Sequence, residues 1–232
     1  MALLLIGLSI LPVIILLITI YRQDKYEKEP LGLLILAFIA GIVSIFLDLL
    51  LIGGVINQIW YSDSVFYSAF WEAGFPEELC KFIVLFLLIW WNKNFNEHMD
   101  GIMYATFVGL GFACLENILY VLDGGIGVGI IRALISVPGH FLFGVMMGYF
   151  LSLAKFEKKN RALNLVLAVA VPAIAHGLFD WLLMVTDGMS AFGQIVILVL
   201  FIALDVVMWI VGVKSIRTHR ERSPFKNAQP NA

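Results

Sequence analysis

Charged residues are scarce in this chain of 232 residues, since Asp, Glu, Lys and Arg together make up only 14%. Ordinary soluble domains carry about 25% charged residues and about 45–50% apolar ones, whereas 61% of this sequence is hydrophobic. A chain of this composition is too apolar to be a soluble protein with a single core, and it has no room for a sizeable soluble domain. The formal net charge of −2 carries little information about binding partners. We expect the protein to lie in the lipid bilayer and to bind no nucleic acid.

Cysteine is also rare. The two cysteines, Cys80 and Cys114, both lie inside apolar runs, and the sequence has no CxxC or zinc-ribbon spacing. We therefore predict buried free thiols that act as small apolar residues. The chain lacks an HExxH motif as well, but metal ligands can also come from different helices.

Apolar runs long enough to cross a bilayer dominate the chain, since a spanning helix needs about 20 mostly apolar residues. The predicted spans are 2–20, 31–56, 70–91, 101–122, 130–153, 162–186 and 191–213. The sequence therefore predicts an all-α fold, a polytopic transmembrane helical bundle of about seven spans.

Basic residues indicate which connections face the cytoplasm, because Lys and Arg concentrate in cytoplasmic loops. All of them except Lys81 and Arg132 follow the first, third or fifth span or lie in the C-terminal tail. With seven spans, this places the N-terminus outside and the C-terminus in the cytoplasm. We expect residues 1–213 to form one integral membrane domain and residues 214–232 to form a basic, disordered cytoplasmic tail.

Ionisable side chains interrupt four of the predicted spans. They are Glu77 and Glu78 with Lys81, Glu116 beside Asn117, His140, and His176 with Asp180. A charged group at the centre of a membrane helix costs about 2.5–3.5 kcal/mol or more, so such residues normally face the protein interior and carry function.

Helix geometry places these groups at one level of the membrane. At 1.5 Å per residue, each carboxylate and imidazole lies about 9–15 Å from the outer end of its span. We therefore predict one buried polar site that opens toward the outer face. Asp48 falls at a similar depth, Asp205 lies nearer the inner face, and Arg132 lies at the outer interface, where an arginine can snorkel.

The residues of each motif can also be explained by a structural role without any catalytic function. Pro76 followed by two acidic residues is typical of a helix start. A lone histidine in a span usually serves packing, and Asn117 could join helices by hydrogen bonds. Three glutamates and two histidines at matched depth nevertheless favour water activation or metal binding.

The motifs resemble those of the PrsW family of membrane-embedded proteases, which is related to the CAAX prenyl protease superfamily. The matching elements occur in order on consecutive spans and cover about residues 20–185. They are EExxK at Glu77–Lys81, FxxxEN at Phe112–Asn117, the single His140, and HxxxD at His176–Asp180.

The resemblance implies a multi-pass peptidase of the bacterial cytoplasmic membrane. Its substrate would be a single-pass membrane protein of the anti-sigma factor type, cut near the extracytoplasmic face. That cut would start regulated intramembrane proteolysis in an envelope-stress response.

Two versions of the chemistry stay open. In the first, Glu77 or Glu78, with a slight preference for Glu78, takes a proton from a water, while His140 and His176 stabilise the oxyanion. In this version, the supporting residues would be Lys81, Glu116, Asn117 and Asp180. In the second, Zn²⁺ would be bound by Glu78, Glu116, His140 and His176.

A different class of protein also fits part of the pattern. Intramembrane Glu, His and Asp residues form proton relays in carriers, although no inverted repeat is evident here. A non-enzymatic membrane scaffold is the third alternative.

Overall fold

Helices make up nearly all of the chain in the computed structural model, which describes residues 2–227 and contains no strand in that range. We number the seven long helices in chain order. They are α1 Ala2–Gln23, α2 Leu31–Leu51, α3 Phe75–Ile89, α4 His98–Leu134, α5 Ser136–Phe156, α6 Arg161–Met184 and α7 Ala191–Glu221.

Short helical pieces connect some of these helices. A π-helical turn, Ser68–Gly74, leads directly into α3 and extends it toward the N-terminus. The others are Ile52–Ile56, Asn57–Ile59, Val65–Tyr67, Lys158–Asn160 and Pro224–Asn227.

Among the described residues, five stretches are long and apolar enough to cross a membrane, which confirms the predicted all-α membrane fold. They are Leu5–Gln23, Leu31–Ile59, His98–Phe156, Lys158–Met184 and Ala191–Glu221. The number of about seven spans and the orientation of the termini stay predictions. The predicted third span corresponds to Ser68–Gly74 joined to α3, and the predicted fourth and fifth spans lie together in His98–Phe156.

The 59-residue stretch His98–Phe156 contains a sharp break. As one straight helix it would be roughly 90 Å long, about three times the thickness of the bilayer core. Gly125 has φ 76°, inside α4, where a residue with a side chain would be strained. The chain changes direction there and again at Ile135.

The core surrounds α4. Nearly every side chain from Met99 to Cys114 is buried, and α4 packs against α1, α2 and α5. A helix buried on all sides has no polar face, which explains why its sequence lacks a clear amphipathic period. Both cysteines are buried and free, as predicted.

The last helix extends beyond the apolar run. It continues to Glu221, eight residues past the boundary at 213 that hydropathy predicts. His219 is fully buried, and its Nδ1 donates a hydrogen bond to the carbonyl oxygen of His98 at 3.0 Å. Arg220 donates to Gln23 of α1 at 2.7 Å. These contacts tie the beginning of the predicted tail to the bundle, while residues 228–232 lie outside the described part.

A second group of acids lies where α4 begins, about 27 Å along this helix from Glu116. Asp24, Glu29, Glu97 and Asp100 are all buried there. Tyr104 donates a hydrogen bond to Glu29, and Asp100 accepts from the backbone N–H of Glu97 at 2.7 Å. This group joins the α1–α2 loop to the start of α4.

Asp24 is expected to weaken the fold at neutral and alkaline pH. Neither of its carboxylate oxygens accepts a hydrogen bond from a described residue. Burial, followed by the charge of Glu97, raises its pKa from 3.8 to about 7, and Lys28 opposes the rise. Because the folded state binds this proton more tightly than the unfolded state, the stability contributed by Asp24 decreases as pH rises from about 4 to about 7.

We therefore expect Asp24→Asn to raise the melting temperature at pH 8, by about 2–4 °C for each kcal/mol gained, and to change it less at pH 5. Thermal unfolding of detergent-solubilised protein at both pH values measures this effect. A variant that is less stable at pH 8 would show that the carboxylate has a stabilising partner.

Candidate active site

Two adjacent glutamates open α3. Pro76, Glu77 and Glu78 lie in the first turn of α3, which continues the preceding π-helical turn, since the N–H of Phe75 bonds to the carbonyl oxygen of Phe70. Both side chains are buried. Lys81 lies one turn later, and its Nζ is 3.0 Å from Glu77 Oε2 and 2.8 Å from Glu78 Oε1.

Close packing of α3 against α6 brings these glutamates to the first histidine of HxxxD. A Cβ on Gly74, just before α3, would lie 2.7 Å from the backbone nitrogen of Gly177, so the backbones meet without side chains between them. The neighbouring residue His176 has its Nδ1 3.1 Å from Glu78 Oε1. Its Nε2 is 3.3 Å from Asp180 Oδ2, one turn along α6, as the i, i+4 spacing predicts.

The two ring nitrogens of His176 therefore both face carboxylates. A neutral ring can donate to only one of them, whereas a protonated ring donates to both. The ring also stacks on Phe143, with centroids 4.6 Å apart, which fixes its plane. His176 is thus held in position by two acids and one aromatic ring.

His140 of α5 has an assignable tautomer. Lys81 Nζ lies 3.2 Å from its Nδ1, and an ammonium can only donate, so Nδ1 is the acceptor. The proton of the neutral ring is then on Nε2, which donates to Glu116 Oε2 of α4 at 2.9 Å. The lone pair of His140 Nδ1 consequently faces the ammonium of Lys81, which also contacts both α3 glutamates.

Arg132, which was predicted at the outer interface, lies in the buried cluster instead. Its Nη2 lies 2.8 Å from Glu116 Oε2, and its Nε donates to Asn117 Oδ1 at 3.1 Å. Asn117 in turn donates to the backbone oxygen of Ser9 in α1 at 2.9 Å, so it supports Arg132 and joins two helices. An arginine inside an apolar run shortly after a Gly-Gly pair was the signal available in the sequence.

The break in α4 explains this contact. Arg132 and Asn117 are fifteen residues apart, which in a straight helix means about 22 Å. Because the chain turns at Gly125, the end of α4 folds back against its middle. A position predicted at the membrane interface therefore reaches the buried cluster.

A polar cavity of about 200 Å³ lies beside the cluster. Glu77 is among its lining residues, and Glu78, which is almost fully buried, is not. The acidic, basic and histidine side chains that line it are Glu77, Glu116, Arg132, His140, His176 and Asp180. Substrate and water could reach Glu77 through this cavity more directly than Glu78.

The donor atoms fit a metal ion. Glu77, Glu78, His140 and His176 each offer one ligand atom, and the four atoms lie within 4.8 Å of one another. Glu78 Oε2 is buried and accepts no hydrogen bond from a described residue. Carboxylate oxygens and imidazole nitrogens are ligands that Zn²⁺ accepts.

The charge balance of the cluster also favours a cation. Four carboxylates lie in the cluster, those of Glu77, Glu78, Glu116 and Asp180, and among the described residues they contact two permanent cations, Lys81 and Arg132. Protons on the histidines or a divalent ion would remove the excess negative charge. Lys81 contacts three of the four donor residues, so its ammonium and a metal ion would compete for the same atoms.

The predicted metal set differs from this group in one member. It contained Glu116 in place of Glu77, whereas in the structure Glu116 contacts His140 and Arg132. Asp48 is buried in α2, close enough for Lys81 and Glu116 to act on its charge, and its Oδ1 accepts no hydrogen bond from a described residue.

Comparison with known proteins supports a peptidase. A family profile described as "PrsW family intramembrane metalloprotease" matches residues 29–208. Protease PrsW of Oceanobacillus iheyensis is 35% identical over 215 residues, which cover 93% of this chain and 95% of that protein. Protease PrsW of Bacillus subtilis is 37% identical over 179 residues, or 77% of this chain and 82% of the relative.

Protease PrsW of Clostridioides difficile is 34% identical over 226 residues, which cover 93% of this chain and 91% of the relative. No solved structure matches the chain at a significant level. The similarity to these relatives, together with the apolar helices, shows that the protein is a multi-pass membrane peptidase. The chain therefore belongs to the PrsW family of intramembrane proteases.

Proposed function

We propose that this peptidase cleaves single-pass membrane proteins of the anti-sigma factor type near the extracytoplasmic face. The observation that carries the proposal is the meeting of Glu77, Glu78, His140 and His176, from three helices, in one buried cluster beside a polar cavity. Such a cut would start regulated proteolysis in an envelope-stress response of a bacterial cell.

The location of the cut rests on the predicted orientation. If the basic connections face the cytoplasm, the cluster lies in the outer half of the membrane. A substrate crossing the bilayer once would then meet the site just below the outer headgroups. The domain division, with residues 1–213 as the membrane unit and 214–232 as the tail, belongs to the same proposal.

In the mechanism that we propose, Glu77 takes a proton from a water in the cavity, which it lines. Glu78 is held by Lys81 and His176 and keeps the lysine in place. Protonated His176, held by Asp180 at Nε2, stabilises negative charge on the substrate carbonyl oxygen when its Nδ1–H donates to that oxygen instead of to Glu78. Glu116 fixes the ring of His140.

The residues that would hold the metal implied by the family are Glu77, Glu78, His140 and His176. A bound Zn²⁺ would supply Lewis-acid chemistry that polarises a carbonyl and makes water nucleophilic at neutral pH. Asp180 and Glu116 would then orient the two imidazoles, as carboxylates commonly do behind histidine ligands. Lys81 would balance the charge of the two glutamates.

The carrier alternative loses its main support, because the chain belongs to a peptidase family. A relay would also have to connect the site with the acids at the other end of α4. Between them, the described residues from Ala105 to Cys114 are apolar and buried except for Thr106 and the half-buried Phe107, and Thr106 bonds to its own helix.

Cleavage in liposomes tests the proposal. We would reconstitute the purified protein with a panel of single-pass proteins that carry a different tag at each end and identify the fragments by mass spectrometry. We expect cuts near the extracytoplasmic end of the substrate span. Intact substrates across the panel, or cuts confined to the cytoplasmic side, would contradict the proposal.

A further inference from the structure

Arg132 has hydrogen-bonding capacity that its neighbours leave unused. The guanidinium carries five N–H groups in a planar fork, and Nε uses one of them on Asn117. Nη2 lies 2.8 Å from Glu116 Oε2, so the two groups form an ion pair. Nη2 is nevertheless buried without an acceptor in hydrogen-bonding geometry among the described residues. An unused donor of this kind is costly unless a ligand completes it.

The guanidinium is also held firmly. Its carbon lies 4.2 Å from the centroid of the Tyr120 ring, and Asn117 fixes the Nε edge. Only 14% of the Arg132 side chain is exposed. An arginine used merely to snorkel would extend its charged end to the headgroups, whereas this one is turned back toward the protein.

The same side chain lines the polar cavity together with Glu77, His140 and His176. A peptide that entered the cavity to reach Glu77 would therefore pass the guanidinium. Backbone carbonyl oxygens are the groups that every peptide offers to such a donor. The surrounding carboxylates of Glu116 and Asp180 would repel an acidic side chain, which favours a neutral carbonyl as the partner.

We propose that Arg132 is a substrate-binding residue, whose free N–H groups hold a backbone carbonyl oxygen of the peptide next to the bond that is cleaved. This inference rests on the proposed function for the nature of the substrate. Glu116 and Asn117 keep the guanidinium in place. The break in α4 at Gly125 lets the chain fold back, so that Arg132 reaches the cavity.

Kinetics of Arg132→Lys and Arg132→Gln on a fluorogenic single-pass reporter test the proposal. Lysine keeps the charge beside Glu116 and lacks the planar fork. We expect both variants to raise KM by about tenfold, the loss typical of one charge-assisted hydrogen bond, with kcat changed less than about threefold. Millimolar methylguanidinium should lower the KM of Arg132→Ala.

A role confined to positioning Glu116 and His140 predicts the opposite split, with reduced kcat and unchanged KM, and that result would overturn the proposal. Unchanged kinetics in both variants would overturn it as well. Thermal unfolding would show whether Arg132→Gln folds. If it does not, the kinetics of Arg132→Lys and the methylguanidinium rescue of Arg132→Ala test the proposal.

Binding without cleavage separates this inference from the proposed function. The affinity of the uncleaved reporter for Glu77→Gln is compared with its affinity for the double variant Glu77→Gln with Arg132→Lys. Weaker binding to the double variant supports the role of Arg132 even if the wild-type protein does not cut this reporter. Equal measured affinity for the two variants would refute it.

Discussion

Replacement of either α3 glutamate by glutamine is expected to reduce cleavage of a membrane reporter by roughly 10²–10⁴-fold, the range for loss of a general base. The reason is geometric. Glu77 lines the cavity, and Glu78 contacts both Lys81 and His176 at about 3 Å. Glutamine keeps the size of the side chain and removes the charge that these contacts require.

The two variants should differ in a second property. Glu77→Gln removes the group that faces the cavity, so we expect kcat to fall while the fold survives. Either change leaves the buried ammonium of Lys81 with one carboxylate, but Glu78→Gln also removes the charged partner of His176 Nδ1, and breaking a buried pair typically costs about 3–5 kcal/mol. Glu78→Gln should therefore also lower the melting temperature, which thermal unfolding measures.

Glu221→Gln is the matched control, because it makes the same chemical change at an exposed position whose carboxylate pairs with Arg217 on α7. It should cleave at the wild-type rate. Full activity in both Glu77→Gln and Glu78→Gln, with correct membrane insertion, would end the assignment of the α3 pair to catalysis.

Removal of the metal is expected to have the second large effect. Four donors within 4.8 Å and an excess of carboxylates favour a bound divalent ion. We expect purified protein to contain about one Zn²⁺ per chain, and o-phenanthroline to reduce cleavage to background, with recovery on addition of Zn²⁺. Metal analysis and the reporter assay on the same sample measure both quantities.

His176→Ala should lose both the metal and the activity, because it removes one of the four donors. His98→Ala is the matched control, since His98 is an imidazole at the other end of α4, whose ring contacts Phe156 and His219. A metal-free preparation with full activity would exclude the metal-dependent version. It would leave the glutamate mechanism, in which His176 donates to the substrate oxygen.

Much of the site followed from local spacing. The i, i+4 relation of His176 and Asp180, and the position of Lys81 one turn after Glu77 and Glu78, need only the helical period of 3.6 residues. Counting residues from the ends of the spans predicted that the four motif regions would meet, and contacts between α3, α4, α5 and α6 agree with that. The membrane fold followed from composition alone.

Contacts that depend on packing could not be obtained in this way. Arg132 reaches Glu116 because α4 breaks at Gly125, and a glycine in an apolar run does not tell in which direction the chain turns. Which glutamate lines the cavity depends on how α3 is rotated against α6. The buried state of Asp24 depends on the α1–α2 loop meeting the start of α4.

The sequence by itself determined that the chain is a helical membrane protein and which motifs supply most of the candidate site residues, because hydropathy and helical period act within one segment. The tertiary structure alone decided which ring nitrogen of His140 faces Lys81, which carboxylate meets the cavity, and that Arg132 belongs to the site. These properties depend on the rotation and breaks of helices packed against one another, and such packing is set by many side chains at once.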